Sequence, residues 1–298
     1  MNNEINDKDI NLLKTLFRLN EKKLLRQLRN RIGAMYPKRN TACTDDYLYF
    51  QGKSPITLVA HADTVFEDFS LTKRIPNQAS KPIYYDRENQ VMWSPEGLGA
   101  DDRAGIFIIL KILEAGLRPN ILITTGEEKG GIGSYSFISD YKDFDIKPFG
   151  MLKKGTKYLL QLDRMGIDDS VFYSCGNSAF EDYVNSFGFQ TQMGSFSDIS
   201  ILCPSLGVAG VNVSVGYCDE HSFLEHLFLK QTFKTIDKVI AMIKDSRSSA
   251  VYEYIERSMP DKKSVGSVGV CEICLDETQL IDYGSLGKIC SKCMGGLF

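Results

Sequence analysis

The chain has 298 residues, 43% hydrophobic and 24% charged, with a formal net charge of −3 at pH 7. That length accommodates one sizeable α/β domain plus a small appendage, and the near-neutral balance argues against a general attraction to nucleic acid. No segment approaches the roughly 20 apolar residues of a membrane span, and Met1-Asn2-Asn3-Glu4 opens polar without a secretory pattern, so a cytoplasmic chain with no membrane partner is expected.

The first predicted element is an amphipathic basic helix over about 9–32. Leu13, Leu16, Phe17, Leu24, Leu28 and Ile32 share one face, with Lys14, Arg18, Lys22, Arg26 and Arg29 elsewhere. A solvated face on a helix packed against the domain is the simpler reading than a membrane or nucleic-acid surface. Apolar runs and helical patterns then alternate. Strands are expected at 56–60, 120–124, 158–162 and 208–215, and helices at 102–115 and 227–243. Strand and helix taking turns predicts an α/β fold with a mixed, mostly parallel sheet sandwiched by helices. Residues 1–245 therefore read as one domain. Residues 246–269, rich in Ser, Lys and Gly, read as a connector with one short helix around Tyr252–Arg257.

Residues 270–298 form a small module carrying Cys271-Glu272-Ile273-Cys274, then fifteen residues, then Cys290-Ser291-Lys292-Cys293. Two Cys-x-x-Cys turns at this spacing present four sulfurs to one structural Zn²⁺, and metal would supply much of the folding energy of so short a segment. Its acidic residues offset Lys288 and Lys292, so a protein contact, self-association or a cover over a crevice of the larger domain suits this zinc finger better than nucleic acid. The remaining cysteines, Cys43, Cys175, Cys203 and Cys218, read as buried or half-buried free thiols.

Five segments carry candidate chemistry: His61-Ala62-Asp63-Thr64, Gly99-Ala100-Asp101-Asp102-Arg103-Ala104-Gly105, Thr125-Gly126-Glu127-Glu128, Leu162-Asp163-Arg164 and His221-Ser222-Phe223-Leu224-Glu225. The first four sit where a predicted strand ends or a helix begins, the side of an open α/β sheet on which ligands gather. Asp63, two residues after His61, can support its imidazole, and the adjacent Glu127 and Glu128 diverge, freeing one for metal and one as a base. Carboxylates crowded in one crevice repel one another, and divalent cations relieve that cost. Arg164 pairs with a neighbouring carboxylate or touches substrate.

In order and spacing these segments resemble the co-catalytic dizinc exopeptidase superfamily, with its zinc aminopeptidases, peptidase T-like tripeptidases and related carboxypeptidases and deacylases. The resemblance spans about residues 55–243. It implies that His61 and Asp163 bind one zinc ion, Glu128 and His221 the other, and Asp102 bridges both. Asp102 is taken over Asp101 because the family's bridging Asp stands three residues before the second glycine, here Gly105. The resemblance also implies that Glu127 is the general base acting on a metal-bridged hydroxide, with Asp63 supporting the first site. His226 competes with His221 as the last ligand; His221 is preferred because His-Ser-x-x-Glu resembles the family's late motif and Glu225 would lie one helical turn on. The gaps between motifs are too short for the lid domain that many relatives carry. The expected function is hydrolysis of amide bonds in small peptides by an aminopeptidase or di/tripeptidase. The alternatives are a deacylase or carboxypeptidase-type amidohydrolase on acylated amino acids, and a non-catalytic scaffold binding a protein partner or a second copy through the module.

Overall fold

The computed structural model describes residues 5–67, 81–143, 156–257 and, toward the C-terminus, 263–271, 273, 277–282, 288–290 and 293. In chain order its strands are β1 (Thr41–Cys43), β2 (Tyr47–Phe50), β3 (Ile56–His61), β4 (Tyr84–Asp86), β5 (Val91–Trp93), β6 (Asn120–Thr124), β7 (Tyr158–Arg164), β8 (Asp169–Val171), β9 (Gln190–Gln192), β10 (Gly210–Ser214), β11 (Tyr217–Cys218), β12 (His226–Phe228), β13 (Lys263–Val270), β14 (Glu277–Asp282) and β15 (Lys288–Cys290). The helices are α1 (Asp7–Arg18), α2 (Glu21–Gly33), α3 (Ala100–Glu114), α4 (Ile132–Asp143), α5 (Ser178–Asn185), α6 (Asp198–Leu206) and α7 (Leu229–Lys244).

The main sheet has eight strands in the order β1-β2-β6-β3-β7-β10-β8-β9. Its centre, β6-β3-β7-β10, is parallel; β2 and β8 join it antiparallel. The predicted mixed, mostly parallel sheet is therefore present. Because side chains alternate along a strand, each central strand feeds two cores. Leu58, Ala60, Ile121, Ile123, Leu160 and Leu162 join residues of α1, α2, α3 and α7 on one face. Val59, Leu122 and Leu159 meet Phe137 and Ile138 of α4 and Ile199 and Leu202 of α6 on the other. A fully buried Leu or Ile contributes about 2 kcal/mol through removal from water, so burial on both faces, rather than strand propensity, holds these short strands.

The basic N-terminal segment forms two helices instead of one. Leu19 is extended, and the Asn20 side chain accepts the Lys23 N–H, capping α2 as Asn6 caps α1 through the N–H groups of Lys8 and Asp9. Arg103 seals the break: its Nη1 donates to the carbonyls of Leu16, Phe17 and Leu19 while its side chain is fully buried. A cation at a helix C-terminus satisfies orphan carbonyls and meets the negative end of the dipole. The predicted apolar face of this segment is buried throughout.

A second sheet, in the order β11-β12-β5-β4, is antiparallel and was not foreseen from periodicity because its strands have only two or three residues. The Tyr252–Arg257 stretch, expected to be helical, runs extended along the domain. Tyr252 N–H donates to Lys157, Tyr254 N–H to Gly207 and Arg257 N–H to Ser174, while the Tyr252 and Ile255 carbonyls accept from Ala209 and Gly176. The Tyr252 ring packs among Tyr158, Phe180 and Tyr183 at centroid separations of 5.9, 5.0 and 5.3 Å. A helix would forgo that pairing with neighbouring segments of the chain. Further on, β13, β14 and β15 form a small antiparallel sheet. No helix among the described residues is long and apolar enough to cross a membrane.

Candidate metal centre

Consecutive parallel strands β3, β6 and β7 place their C-terminal ends side by side, with β3 between the other two. The chain leaves β3 for β6 on one side and later returns past it to β7 on the other, which opens a crevice at the strand tips. His61 is the last residue of β3, Asp163 the penultimate residue of β7, and Glu127 and Glu128 lie in the turn between β6 and α4.

Asp101 links the two halves of the cluster. One of its oxygens lies 3.1 Å from His61 Nε2 and the other 3.1 Å from His221 Nε2. His61 Nε2 is also 3.3 Å from Asp163 Oδ1, and His221 Nε2 is 3.0 Å from Glu128 Oε2. Asp102, given the bridging role on the motif's spacing, accepts the backbone N–H of His61 at 3.1 Å and of Gly105 at 3.1 Å. The carboxylate reaching both imidazoles is thus that of Asp101, while Asp102 ties the tip of β3 to the first turn of α3. Gly105 is required there because a Cβ would meet the Leu162 carbonyl oxygen at 2.0 Å and Asp102 Oδ1 at 2.6 Å. The Asp101–Asp102 peptide bond is cis.

Asp63 works on two neighbours. Its Oδ1 lies 3.3 Å from His61 Nδ1, and its two oxygens accept the N–H groups of Glu127 and Glu128 at 3.3 and 3.2 Å, holding the turn that presents both glutamates. Glu225 lies not on a helix but at the end of a turn; fully buried, it accepts the N–H groups of Gly99 and Asp101 and clamps the loop that carries Asp101. Ser197 Oγ and Gln161 Nε2 donate to Asp163 Oδ2 at 2.8 and 3.0 Å, and Tyr217 O–H donates to the Asp163 carbonyl at 2.8 Å. Asp198, fully buried, accepts Thr124 and Ser134 hydroxyls at 2.6 Å each and braces β6 against α4 and α6. The sequence alone assigns Asp198 no role of its own.

The two histidines are presented differently. His61 is buried at a strand end, whereas His221 sits between β11 and β12 with its side chain 52% exposed. Asp219 and His221 both have left-handed backbone, φ 56° and 59°, which turns this loop toward the crevice. Non-glycine residues in that region cost of order 1–3 kcal/mol each and cluster at functional sites. His226 faces away: it pairs with Trp93 and Cys218 in the second sheet, and its Nδ1 lies 3.0 Å from the Leu224 carbonyl.

The electrostatics are those of a site with more carboxylates than compensating cations. Burial, reinforced by Asp163, Asp198 and Asp101 and countered by His61, pushes the Glu127 carboxyl up to about 9. Burial likewise raises Asp163 to about 7, and Asp102 well above the usual range. Burial also opposes charge on Asp101, but hydrogen bonds from His221 and His61 outweigh it and hold that carboxyl well below the usual range. Hydrogen bonds to Asp101 and Glu128 lift His221 to about 11. The donor set suits divalent cations: ligand atoms of His61, Asp101 and Glu128, and of His61, Asp102 and Asp163, lie within 4.8 Å of one another.

Asp101, Glu127, Glu128, Asp163 and His221 line a cavity of about 340 Å³ with Arg164, Tyr173, Asn212 and Glu220. Burial drives the Tyr173 hydroxyl up; the charge of Arg164 is among the influences that oppose it. A second cavity of about 640 Å³ shares Tyr173, Ser195 and Phe196 with the first and continues along Val171, Met193, Ile201 and Pro204.

In the C-terminal module, Cys271, Cys290 and Cys293 bring their sulfurs within 4.8 Å of one another; Cys274 lies outside the described residues. The N–H groups of Cys290 and Cys293 donate to the sulfurs of Cys271 and Cys290 at 3.4 Å. Cys175 and Cys203 are buried, Cys43 and Cys218 half-buried, and the described cysteines form no disulfide.

No family profile and no curated protein matches the chain in sequence. Solved structures do share its fold. The TET aminopeptidase of a marine sediment archaeon of the Thaumarchaeota superposes with a TM-score of 0.60 at 14% identity, over 82% of this chain and 99% of that one. Aminopeptidase PepT from Bacillus cereus gives 0.57 at 14% identity, over 80% and 98%, and a tripeptidase from Staphylococcus aureus 0.56 at 13%, over 80% and 98%. The fold is therefore one shared by solved aminopeptidases and tripeptidases.

Proposed function

We propose that this chain is a two-metal hydrolase of amide bonds in small peptides, acting as an aminopeptidase or di/tripeptidase. The observation that carries the reading is the Asp101 carboxylate between His61 and His221, with Glu127 in the same cavity. In this reading His61, Asp163 and Asp101 hold one divalent cation, Zn²⁺ by preference, and His221, Glu128 and Asp101 the other. Bound there, the two cations would polarise a substrate carbonyl and acidify a water. Beside the charge of two cations the buried Glu127 carboxyl would return to its ionised form, and as a carboxylate Glu127 takes the proton of the attacking water and passes it to the leaving amine nitrogen. Asp63 keeps Glu127 aimed by holding the N–H groups of its turn. The fold shared with solved peptidases supports this reading, as does a cavity sized for a few residues of peptide.

For the C-terminal module we propose one structural zinc held by Cys271, Cys274, Cys290 and Cys293, supported by the three clustered sulfurs and their N–H donors. The experiment is a peptide library incubated with metal-reconstituted protein and read for which end is trimmed, with metal counted by atomic absorption. Removal of N-terminal residues by protein holding two catalytic metals and one structural metal is expected. Inertness toward the library in zinc, cobalt and manganese, with both catalytic metals bound, would overturn the peptidase reading.

A further inference from the structure

We propose that Arg164 selects the substrate by taking a carboxylate of the bound peptide on its guanidinium; the inference rests on the peptidase reading above. Arg164 ends β7 directly after Asp163 and lines the 340 Å³ cavity with Asp101, Glu127 and His221. Its Nε is buried and has no hydrogen-bond partner. Although the cavity is rich in carboxylates, no ion pair among the described residues reaches its guanidinium.

Three of the neighbouring acids, Asp163, Asp101 and Glu128, are engaged elsewhere. Asp163 receives Gln161, Ser197 and Tyr217 and approaches His61; Asp101 spans two imidazoles; Glu128 faces His221. Glu220 lines the cavity but forms no ion pair with Arg164. A buried donor left unsatisfied is unfavourable, more so when it is charged, and a ligand carboxylate relieves that through the two parallel N–H bonds a guanidinium offers. Neutralising acids for metal binding needs no further cation, so an arginine kept apart from them is suited to an anion that arrives with the substrate.

Arg164 shares one cavity with Asp101, Glu127 and His221, so a carboxylate held by it belongs to the same small ligand that reaches those groups. The adjoining 640 Å³ cavity, entered past Tyr173, Ser195 and Phe196, leaves room for an apolar side chain on the same ligand. The required carboxylate is either the free C-terminus of a dipeptide or the side chain of an acidic residue.

Calorimetric titration of the metal-loaded full chain with reduced-bond pseudodipeptides separates these sources. One arm compares Leu-Ala analogues ending in carboxylate or carboxamide; the other compares Glu-Leu-amide with Gln-Leu-amide. In one arm the carboxylate is expected to bind about 10–100-fold more tightly, the range of a hydrogen bond to a charged group. Arg164→Met should reduce that preference to less than about threefold, and Arg164→Lys should keep part of it, since charge remains while the fork is lost. No preference in either arm, no binding in either arm, or a preference undiminished in Arg164→Met would overturn the assignment. Because binding is read without turnover, the preference with no hydrolysis of the parent peptides would reject the peptidase reading while leaving Arg164 its role.

Discussion

The two halves of the candidate metal centre are built by different means. His61 extends a core strand: its backbone N–H is fixed by Asp102, its ring is enclosed, and the carboxylate opposite, Asp163, is held by Ser197, Gln161 and Tyr217. His221 stands on a half-exposed loop in left-handed backbone and meets the cluster only through Asp101 and Glu128. The first half is set by the sheet before any ligand arrives; the second rests on a loop outside the core, held by fewer contacts. A cation on the His61 side should therefore be the tighter of the two and the last removed by a chelator.

The comparison can be tested from both sides. The largest expected effect belongs to the group both halves serve: Glu127→Gln should lower kcat/KM by about 10²–10⁴-fold while atomic absorption still finds both catalytic metals. Full activity in that variant would remove Glu127 from the proton transfer. Next, His61→Ala leaves buried carboxylates without their partner and should cost about 3–5 kcal/mol in urea unfolding of the metal-free chain, along with loss of metal. His221→Ala should cost no more than about 1 kcal/mol and release one metal only, as expected for a half-exposed loop residue. Equal losses in the two histidine variants would erase the contrast. Asp101→Asn should weaken both metals and Asp102→Asn chiefly stability, so the opposite pattern would return the bridge to Asp102. The smallest change is Glu225→Gln, which substitutes an amide N–H₂ for one acceptor of the Asp101 loop and should weaken metal binding about 10–100-fold, measured by competition with a chelator.

The parallel core was legible in the chain because each central strand is an unbroken apolar run followed by a helical pattern, as in Ile56–Ala60 before residues 102–115. Burial on both faces writes itself into composition. The short strands of the second sheet left no such trace, since two or three residues cannot display a period. The break at Leu19-Asn20 was hidden because apolar spacing continued across it, and only the capping side chain of Asn20 ends one helix and begins the next.

At the site, residue order and the family resemblance nominated His61, Asp102 over Asp101, Glu127 and Glu128, Asp163, and His221 over His226. Which member of each close pair faces the cluster was a tertiary matter. Asp102 is drawn to the N–H groups of His61 and Gly105, leaving Asp101 toward the imidazoles; β12 pairing holds His226 away, while the loop before it turns His221 in. A sequence records which donors and acceptors exist. Their direction is decided by backbone N–H groups and strand registers that come together only when segments distant in the chain pack, and those contacts select among neighbours that local chemistry leaves equivalent.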